Sequence, residues 1–419
     1  MEIIKYNIHS IKNFIIQFLI FIFPLTLVSG PFIPDAIISI SAILFLIFHK
    51  NEIFDYLKNS NFVKFFFIFF LYLIINSFFS EFILISLKTS ITYMRFIVFI
   101  CIIYYLCSHT SKNRHIFFLG LLLTFIVLCI DANFQFLTGK NFLGFEPQTA
   151  PLRISGLFKD ELILGGFLAR FFPLLIGLLY LYLNKNKNVF FYILILTLLV
   201  SFTIFIAAEK TAIALHLISV SLLIFFYDFP KRYKFFICIS ILFISILAIL
   251  SNPHIKKRVI TETLLNSDHG KYVFSKTHHA HYLTSINIFL DKPILGSGIK
   301  TFRYICNEDK YKVDRFDPPF QFWHLNCSTH THNIYIQVLS ETGIIGFIFL
   351  ITFFIYVVLG LFRDFSGDKG EIYFQRTVII CLFINFFPFA PSGNFFNNYI
   401  SMIYLLPVGF MLSNMKLNS

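Results

Sequence analysis

Two short runs hold the side chains best able to do chemistry. The first is Cys327-Ser328-Thr329-His330-Thr331-His332-Asn333. Imidazole titrates closest to neutrality of all side chains, so His330 and His332 are candidates for general-base work. Ser328, Thr329 and Thr331 offer cap oxygens to the apolar helical segment that follows. The plain alternative is that these histidines only cap or are solvated. The second run is Lys276-Thr277-His278-His279-Ala280-His281, with Asp291-Lys292-Pro293-Ile294-Leu295-Gly296-Ser297-Gly298 after it. Residues 281–291 read as a short amphipathic helix ending at a Pro-Gly turn. The five histidines of these two runs raise the question of zinc. The spacing contains no HExxH, no CxxC and no carboxylate in register, so no metal is assigned.

Cations accompany the histidines. Ala207-Ala208-Glu209-Lys210-Thr211 is a very short turn between two apolar blocks. A Glu-Lys pair that close to hydrocarbon is costly unless it is used or mutually paired. Arg153-Ile154-Ser155-Gly156 and Lys159 precede the next block, and Arg170 lies about two turns inside it. Arg grips phosphate with a planar fork. Arg153 and Lys159 read equally well as interfacial anchors, whereas Arg170 is expected to face a bundle interior or a cavity. A histidine base at a membrane face, with cations and no evident metal site, suits a substrate whose leaving group is a lipid-anchored phosphate or pyrophosphate. Cations stabilise the departing charge while imidazole deprotonates the attacking hydroxyl. That is glycosyl or phosphoryl transfer from a lipid carrier.

The elements that must position these groups are membrane helices. The chain of 419 residues is 57% hydrophobic and 13% charged, with 60 Phe. Soluble domains are nearer a quarter charged. The apolar residues fall in blocks long enough to cross a hydrocarbon layer, without strand alternation, which predicts an all-α polytopic membrane protein and argues against a β-barrel. Twelve spans are expected, at about 14–30, 33–49, 62–80, 91–108, 116–136, 162–183, 189–207, 211–227, 234–251, 344–362, 375–390 and 395–413. The first block lacks a small-residue cleavage motif and is read as a span. Three segments follow: spans 1–9 in 1–251, one large loop in 252–333, and a helix leading into spans 10–12 in 334–419. Residues 333–342 are expected as a short interfacial helix broken from its span at Gly343.

Lys and Arg concentrate on one side of this arrangement, at Lys5, Lys12, Lys50, Lys58, Lys64, Lys112, Arg114, Lys231, Arg232 and Arg363 among others. Cytoplasmic loops carry that excess, so both termini are expected inside and the large loop in a periplasm. The +12 charge follows from this topology and is no argument for nucleic acid. Five cysteines fall in spans. Cys306 and Cys327 share the outer loop, where an oxidising compartment permits a disulfide; two free thiols are the alternative.

The run from His332-Asn333 through Tyr335, Gln337, Leu339, Glu341 and Gly343 to Gly346 resembles the H-N-x-Y-x-Q-x-L-x-E-x-G-x-x-G stretch of the O-antigen ligase and O-antigen polymerase superfamily. Asp291 to Phe302 resembles that family's PxxGxGxxxF element, and Arg153-x-Ser155-Gly156 its RxSG loop. The likeness runs over roughly 130–410. It implies a metal-independent, cofactor-free glycosyltransferase of the bacterial inner membrane. Such an enzyme moves a glycan from undecaprenyl pyrophosphate to a hydroxyl of lipid A core or of another glycan repeat, in lipopolysaccharide biosynthesis. His332 matches the family's proposed base, with His330 as a helper. The family's arginine after the seventh span falls on Lys210, which keeps the charge and loses the fork. Its second arginine falls near His278, so Arg153, Arg170 or Arg303 is left to hold the pyrophosphate beside His278. Glu209, Asn333 and Glu341 complete the site. A transporter or lipid-glycan flippase also has about twelve spans, but internal repeats with polar residues at the midplane are missing.

Overall fold

A segment surrounded by lipid must satisfy its backbone N–H and C=O groups within itself, and the helix does this. The computed structural model describes residues 2–147, 153–251, 253–257, 276–313 and 327–414. Much of the large loop therefore lies outside the described residues. Those described form α1 Glu2–Thr26, α2 Phe32–Phe48, α3 Lys50–Asn59, α4 Asn61–Phe78, α5 Ile83–His109, α6 Ser111–Thr138, α7 Leu164–Leu183 and α8 Val189–Ile206. They continue as α9 Lys210–Phe226, α10 Lys231–Ser251, α11 Pro253–Lys256, α12 Lys276–Asp291, α13 Phe302–Ile305, α14 Ile334–Leu361, α15 Lys369–Asn385 and α16 Asn398–Asn414. Among the described residues there is no β-strand.

Each of the twelve apolar blocks overlaps one of these helices, and several run past its end, 14–30 beyond Thr26 and 375–390 beyond Asn385 among them. Seven are long and apolar enough to cross a membrane, or up to eight if the pair α2 and α3, bent by 89°, counts as one span. The apolar part of α1 (Phe14–Thr26) and helices α9 and α16 are shorter. Helix α15 has 17 residues and carries Lys369, Glu371 and Arg376, so length and charge separate it from the seven. Helix α12 begins at Lys276, five residues before the expected start, so His278 and His281 lie on a helix. Helix α14 is interrupted at Gly343, whose φ of 63° and ψ of −167° are non-helical. Residues 334–342 thus form a helix of their own ahead of an apolar one.

Two compact units divide the chain. One is Met1–Ile37, Ile103–Leu265 and Arg363–Asn385; the other is Ile38–Ile102, Asn266–Phe362 and Phe386–Ser419. In the first, α7 is buried on nearly every side, as an all-round apolar helix should be. It meets α15 where a Cβ on Gly177 would fall 1.8 Å from Thr377 Oγ1. A Cβ on Gly120 of α6 would fall 2.0 Å from the carbonyl oxygen of Phe21 in α1. Small residues let membrane helices approach this closely. Arg114 grips Glu371 with both guanidinium nitrogens, at 2.8 and 3.1 Å.

In the second unit, polar side chains of α4 and α5 hold the loop before α13. Ser77, Ser86 and Ser90 bond one another, and Ser86 Oγ accepts from Ile299 N at 2.9 Å. Ser80 Oγ donates to Ser297 O at 2.8 Å. Tyr72 and Asn76 donate to the carbonyls of Thr342 and Leu295. The loop lies directly on the break in α14: Ser297 N bonds Ser340 O at 3.0 Å, Gly298 N bonds Glu341 O at 2.8 Å, and Ile344 N bonds Pro293 O at 2.9 Å. Gly296 (φ +69°) sits where a Cβ would come within 2.6 Å of the backbone of residues 341–343. Gly296→Ala is therefore expected to cost roughly 1–3 kcal/mol through strain and overpacking. The check is the melting temperature of detergent-purified protein; an unchanged value would show that the backbone relaxes without loss.

Candidate functional site

The segment 327–333 is fixed at both ends. Cys327 is disulfide-bonded to Cys306, with Cα atoms 5.1 Å apart. Cys306 is fully buried among Ile288, Phe302, Ile305 and Tyr311. At the other end Asn333 caps α14, its Oδ1 accepting from Tyr335 N at 2.9 Å and Ile336 N at 3.2 Å. Its Nδ2 donates to Pro388 O at 2.7 Å. Thr331 Oγ1 donates to Asn333 O at 2.9 Å, and Ser392 N donates to His332 O at 2.9 Å. Between these bonds His332 is held at a φ of +60°. A non-glycine residue reaches that region only when its surroundings impose it, and such strain concentrates at functional sites.

Three imidazoles surround His332. Ring centroids lie 4.1 Å away for His330, 4.8 Å for His278 and 5.3 Å for His281. His278 and His281 reach it together because residues three apart share a face of α12. The His281 ring lies nearly parallel to that of His332, at 19°. Among the described residues no three His, Cys, Asp or Glu side chains are arranged to hold a metal ion. His332 Nε2 is 3.4 Å from Ser328 Oγ, and His330 Nδ1 is 2.9 Å from Thr329 Oγ1. Arg303, exposed on α13, donates to Thr329 O at 3.3 Å.

Burial pushes the charged form of these rings out of favour. His332 is held down to about 3, first by desolvation and then by the positive charge that His330, His278 or His281 would carry. His330 is held down to about 4 by desolvation, with a hydrogen bond to the backbone of Ser392 pulling the other way and Arg303 and His278 adding to the depression. His278 is lowered by desolvation as well. At neutral pH His330 and His332 are therefore uncharged, and His332 has a lone pair available.

The rest of the motif is scaffolding. Glu341 is fully buried, accepting from Phe302 N at 3.1 Å and from Gln337 Nε2 at 3.0 Å. Gln337 Oε1 accepts from Phe395 N at 2.9 Å. Tyr335 OH bonds the carbonyl of Phe386. Glu341 thus braces the loop against α14 and makes no ring contact with the histidines. Ser328, offered by the sequence only as a cap oxygen, lies instead against His332. Pro388 and Ser392 are contacts that the sequence did not point to.

The second group of expected residues lies in the other unit. Glu209 ends the turn before α9, and Lys210 is its first residue. Ala208 has a φ of +53°, which the turn imposes. Glu209 accepts from Gly165 N at 2.9 Å and Gly166 N at 3.1 Å, at the start of α7. Desolvation raises its pKa, and the charges of Arg153 and Arg170 and the two amide bonds oppose that rise. Arg170 is buried, and Arg153 donates to Leu162 O at 3.4 Å. The structure thus gathers His278, His281, His330, His332 and Arg303 in one unit, and Arg153, Arg170, Glu209 and Lys210 in the other.

Residues 192–351 match the family model described as O-antigen ligase. The matched stretch contains Glu209, Lys210, Arg303 and all four clustered histidines; Arg153 and Arg170 precede it. No curated protein matches the chain.

The depressed histidines link stability to pH. Their folded values lie below the unfolded value of 6.5, so the unfolded chain takes up protons that the folded chain refuses as pH falls below about 6.5. The melting temperature is expected to fall between pH 7 and pH 4.5, and to fall less in a His330→Asn/His332→Asn double variant. Identical slopes for the two proteins would show that these rings titrate normally.

Proposed function

Taking O-antigen ligase superfamily membership as the premise, we propose that this membrane protein is a glycan ligase or polymerase of the bacterial inner membrane. It transfers a glycan from undecaprenyl pyrophosphate to an acceptor hydroxyl on lipid A core or on another carrier-linked repeat. The observation that carries the proposal is His332: a strained, neutral imidazole at a helix start, enclosed by three others. Twelve spans, cytoplasmic termini and a periplasmic loop complete the reading, and the excess of Lys and Arg on one side of the chain supports it.

The reaction needs a base and a home for a departing anion. His332 takes the proton of the acceptor hydroxyl as its oxygen attacks the anomeric carbon. The bond from that carbon to the pyrophosphate oxygen breaks, and the electron pair leaves on the diphosphate. A nearby diphosphate favours imidazolium, so the donor itself raises the basicity of His332 once bound. His330 and His278 hold the ring in place. Arg303 is the named cation on the side of the histidines. Lys210, Arg153 and Arg170 enter as pyrophosphate contacts by their chemistry alone.

His332→Ala is expected to lower glycan transfer by roughly 10²–10⁴-fold, the usual worth of a positioned base, while the protein still inserts in the membrane. Transfer at the parental rate by purified His332→Ala protein would overturn the mechanism. Lys210→Ala is expected to weaken transfer and Lys210→Arg to retain most of it, because charge is kept and a fork is added. Equal rates for Lys210→Ala and the parent, measured with the same donor, would remove Lys210 from the site. Surface glycolipids of a deletion strain separate the two acceptors: bare core with long glycans left on the carrier means ligase, and core capped by a single repeat means polymerase.

A further inference from the structure

His281 is the deepest of the four clustered imidazoles. It is 3% exposed, whereas His278, His330 and His332 are half-buried. A substrate that reaches His332 therefore finds almost no surface of His281 to touch. The residue lies in the second turn of α12, where Ala280, Tyr282, Thr284 and Ser285 are buried as well. Ser285 Oγ donates to His281 O at 2.8 Å. A side chain on a packed helix has few rotamers open to it, so the His281 ring is fixed by its own element.

That ring faces His332. The two planes are within 19° of parallel at a centroid distance of 5.3 Å, inside the range at which stacked aromatic rings attract. His278 and His330 meet the same ring at steeper tilts, 34° and 45°. His281 also meets Phe302 edge-on, at 6.5 Å and 82°. Phe302 is itself buried, and its N–H donates to Glu341 Oε1 at 3.1 Å. Contacts thus run without a gap from the brace on α14, through Phe302 and His281, to the His332 ring. The hydrogen bonds at Thr331, Asn333 and Ser392 fix the backbone around His332. They leave its side-chain torsions open, and the last of these is broad in histidine. Ser328 Oγ, at 3.4 Å from Nε2, is too distant to hold the plane alone. A parallel ring that cannot move does what the backbone bonds do not.

We propose that His281 is a positioning residue, a buried aromatic plate that stacks on His332 and fixes the plane in which that ring presents its nitrogen to the acceptor hydroxyl. The proposal rests on the reading of His332 as the base of a glycan transferase. It adds a histidine that touches neither donor nor acceptor and acts by its flat shape, not by taking a proton or holding a phosphate.

The test compares His281→Leu, which fills the space without a ring, with His281→Phe, which keeps a ring and removes both nitrogens. Full-length protein in detergent is assayed for kcat and for the KM of donor and acceptor. In His281→Leu kcat is expected to fall roughly 10- to 100-fold, as when a reacting group is slightly misplaced, with both KM values unchanged. His281→Phe is expected to recover most of the rate. A merely structural role would lower the melting temperature and the amount of active protein while leaving kcat per folded molecule at the parental value. If His281→Leu fails to fold, His281→Asn, which keeps a polar group and loses the ring, decides. Parental kcat in a folded ringless variant overturns the proposal. So does a loss confined to KM, or a His281→Phe protein as slow as His281→Leu, since the imidazole itself would then be needed. A second readout is independent of transfer: the ring-proton NMR shifts of His332, assigned by their loss in His332→Asn. They are expected to move more in His281→Leu than in His281→Phe, because a stacked ring shields its neighbour; equal shifts in both variants and the parent overturn the proposal. A parent that transfers no glycan while His281→Leu moves these shifts defeats the functional reading and leaves the stacking role of His281 standing.

Discussion

The backbone of residues 293–298 lies against the break in α14, and the geometry of the histidine-bearing unit depends on that contact. Three main-chain hydrogen bonds close it, at Ser297–Ser340, Gly298–Glu341 and Ile344–Pro293. They are possible only because Gly296, Gly298 and Gly343 have no Cβ and tolerate positive φ. The break frees residues 334–342 from the direction of the apolar helix that follows. Where that short helix starts determines where Asn333 caps it, and the residue before the cap is His332. Gln337 and Glu341 fill the remaining polar valences, so that a buried carboxylate and amide are satisfied. From His332 to Gly346 the run is in physical terms one held imidazole and a set of braces.

The site on that frame shows how a protein keeps imidazole neutral. Water removal and neighbouring rings act in the same direction, and the disulfide at Cys327 and the bond from Ser392 to His332 prevent the loop from swinging out to solvent. A single histidine on an open loop would titrate near 6.5 and would hold its ring in no particular direction. Here the ring orientation is set by the fold itself. The backbone strain at His332 is offset by the cap, the disulfide and the four-ring packing around it.

In the other unit electrostatics take a different form. A carboxylate, that of Glu209, takes the first amides of a buried helix. Phosphate recognition commonly uses helix amides directly. In this chain the amides of Gly165 and Gly166 are spent on Glu209.

Hydropathy alone located the helices. Blocks of apolar residues cannot leave backbone groups unpaired in lipid, so each became a helix, and the Gly343 break could be read from residue type and spacing, whereas the cap is Asn333 and not Ser328, Thr329 or Thr331. Length and charge then limited how many of those helices qualify as spans, which apolar content by itself did not reveal for α9, α15 and α16. The histidines were recognisable as candidates because five of the thirteen fall in two short runs and imidazole titrates near neutrality. Their convergence was not, since His278 and His332 are joined by ring contact across a long stretch of sequence with no periodic signal. The same holds for Ser392 on His332 and for Gly165 and Gly166 on Glu209: both are contacts of main-chain amides, which every residue has. Local chemistry determined which residues could act, and packing of distant segments decided which of them meet, because only packing brings backbone amides and remote side chains within hydrogen-bond reach.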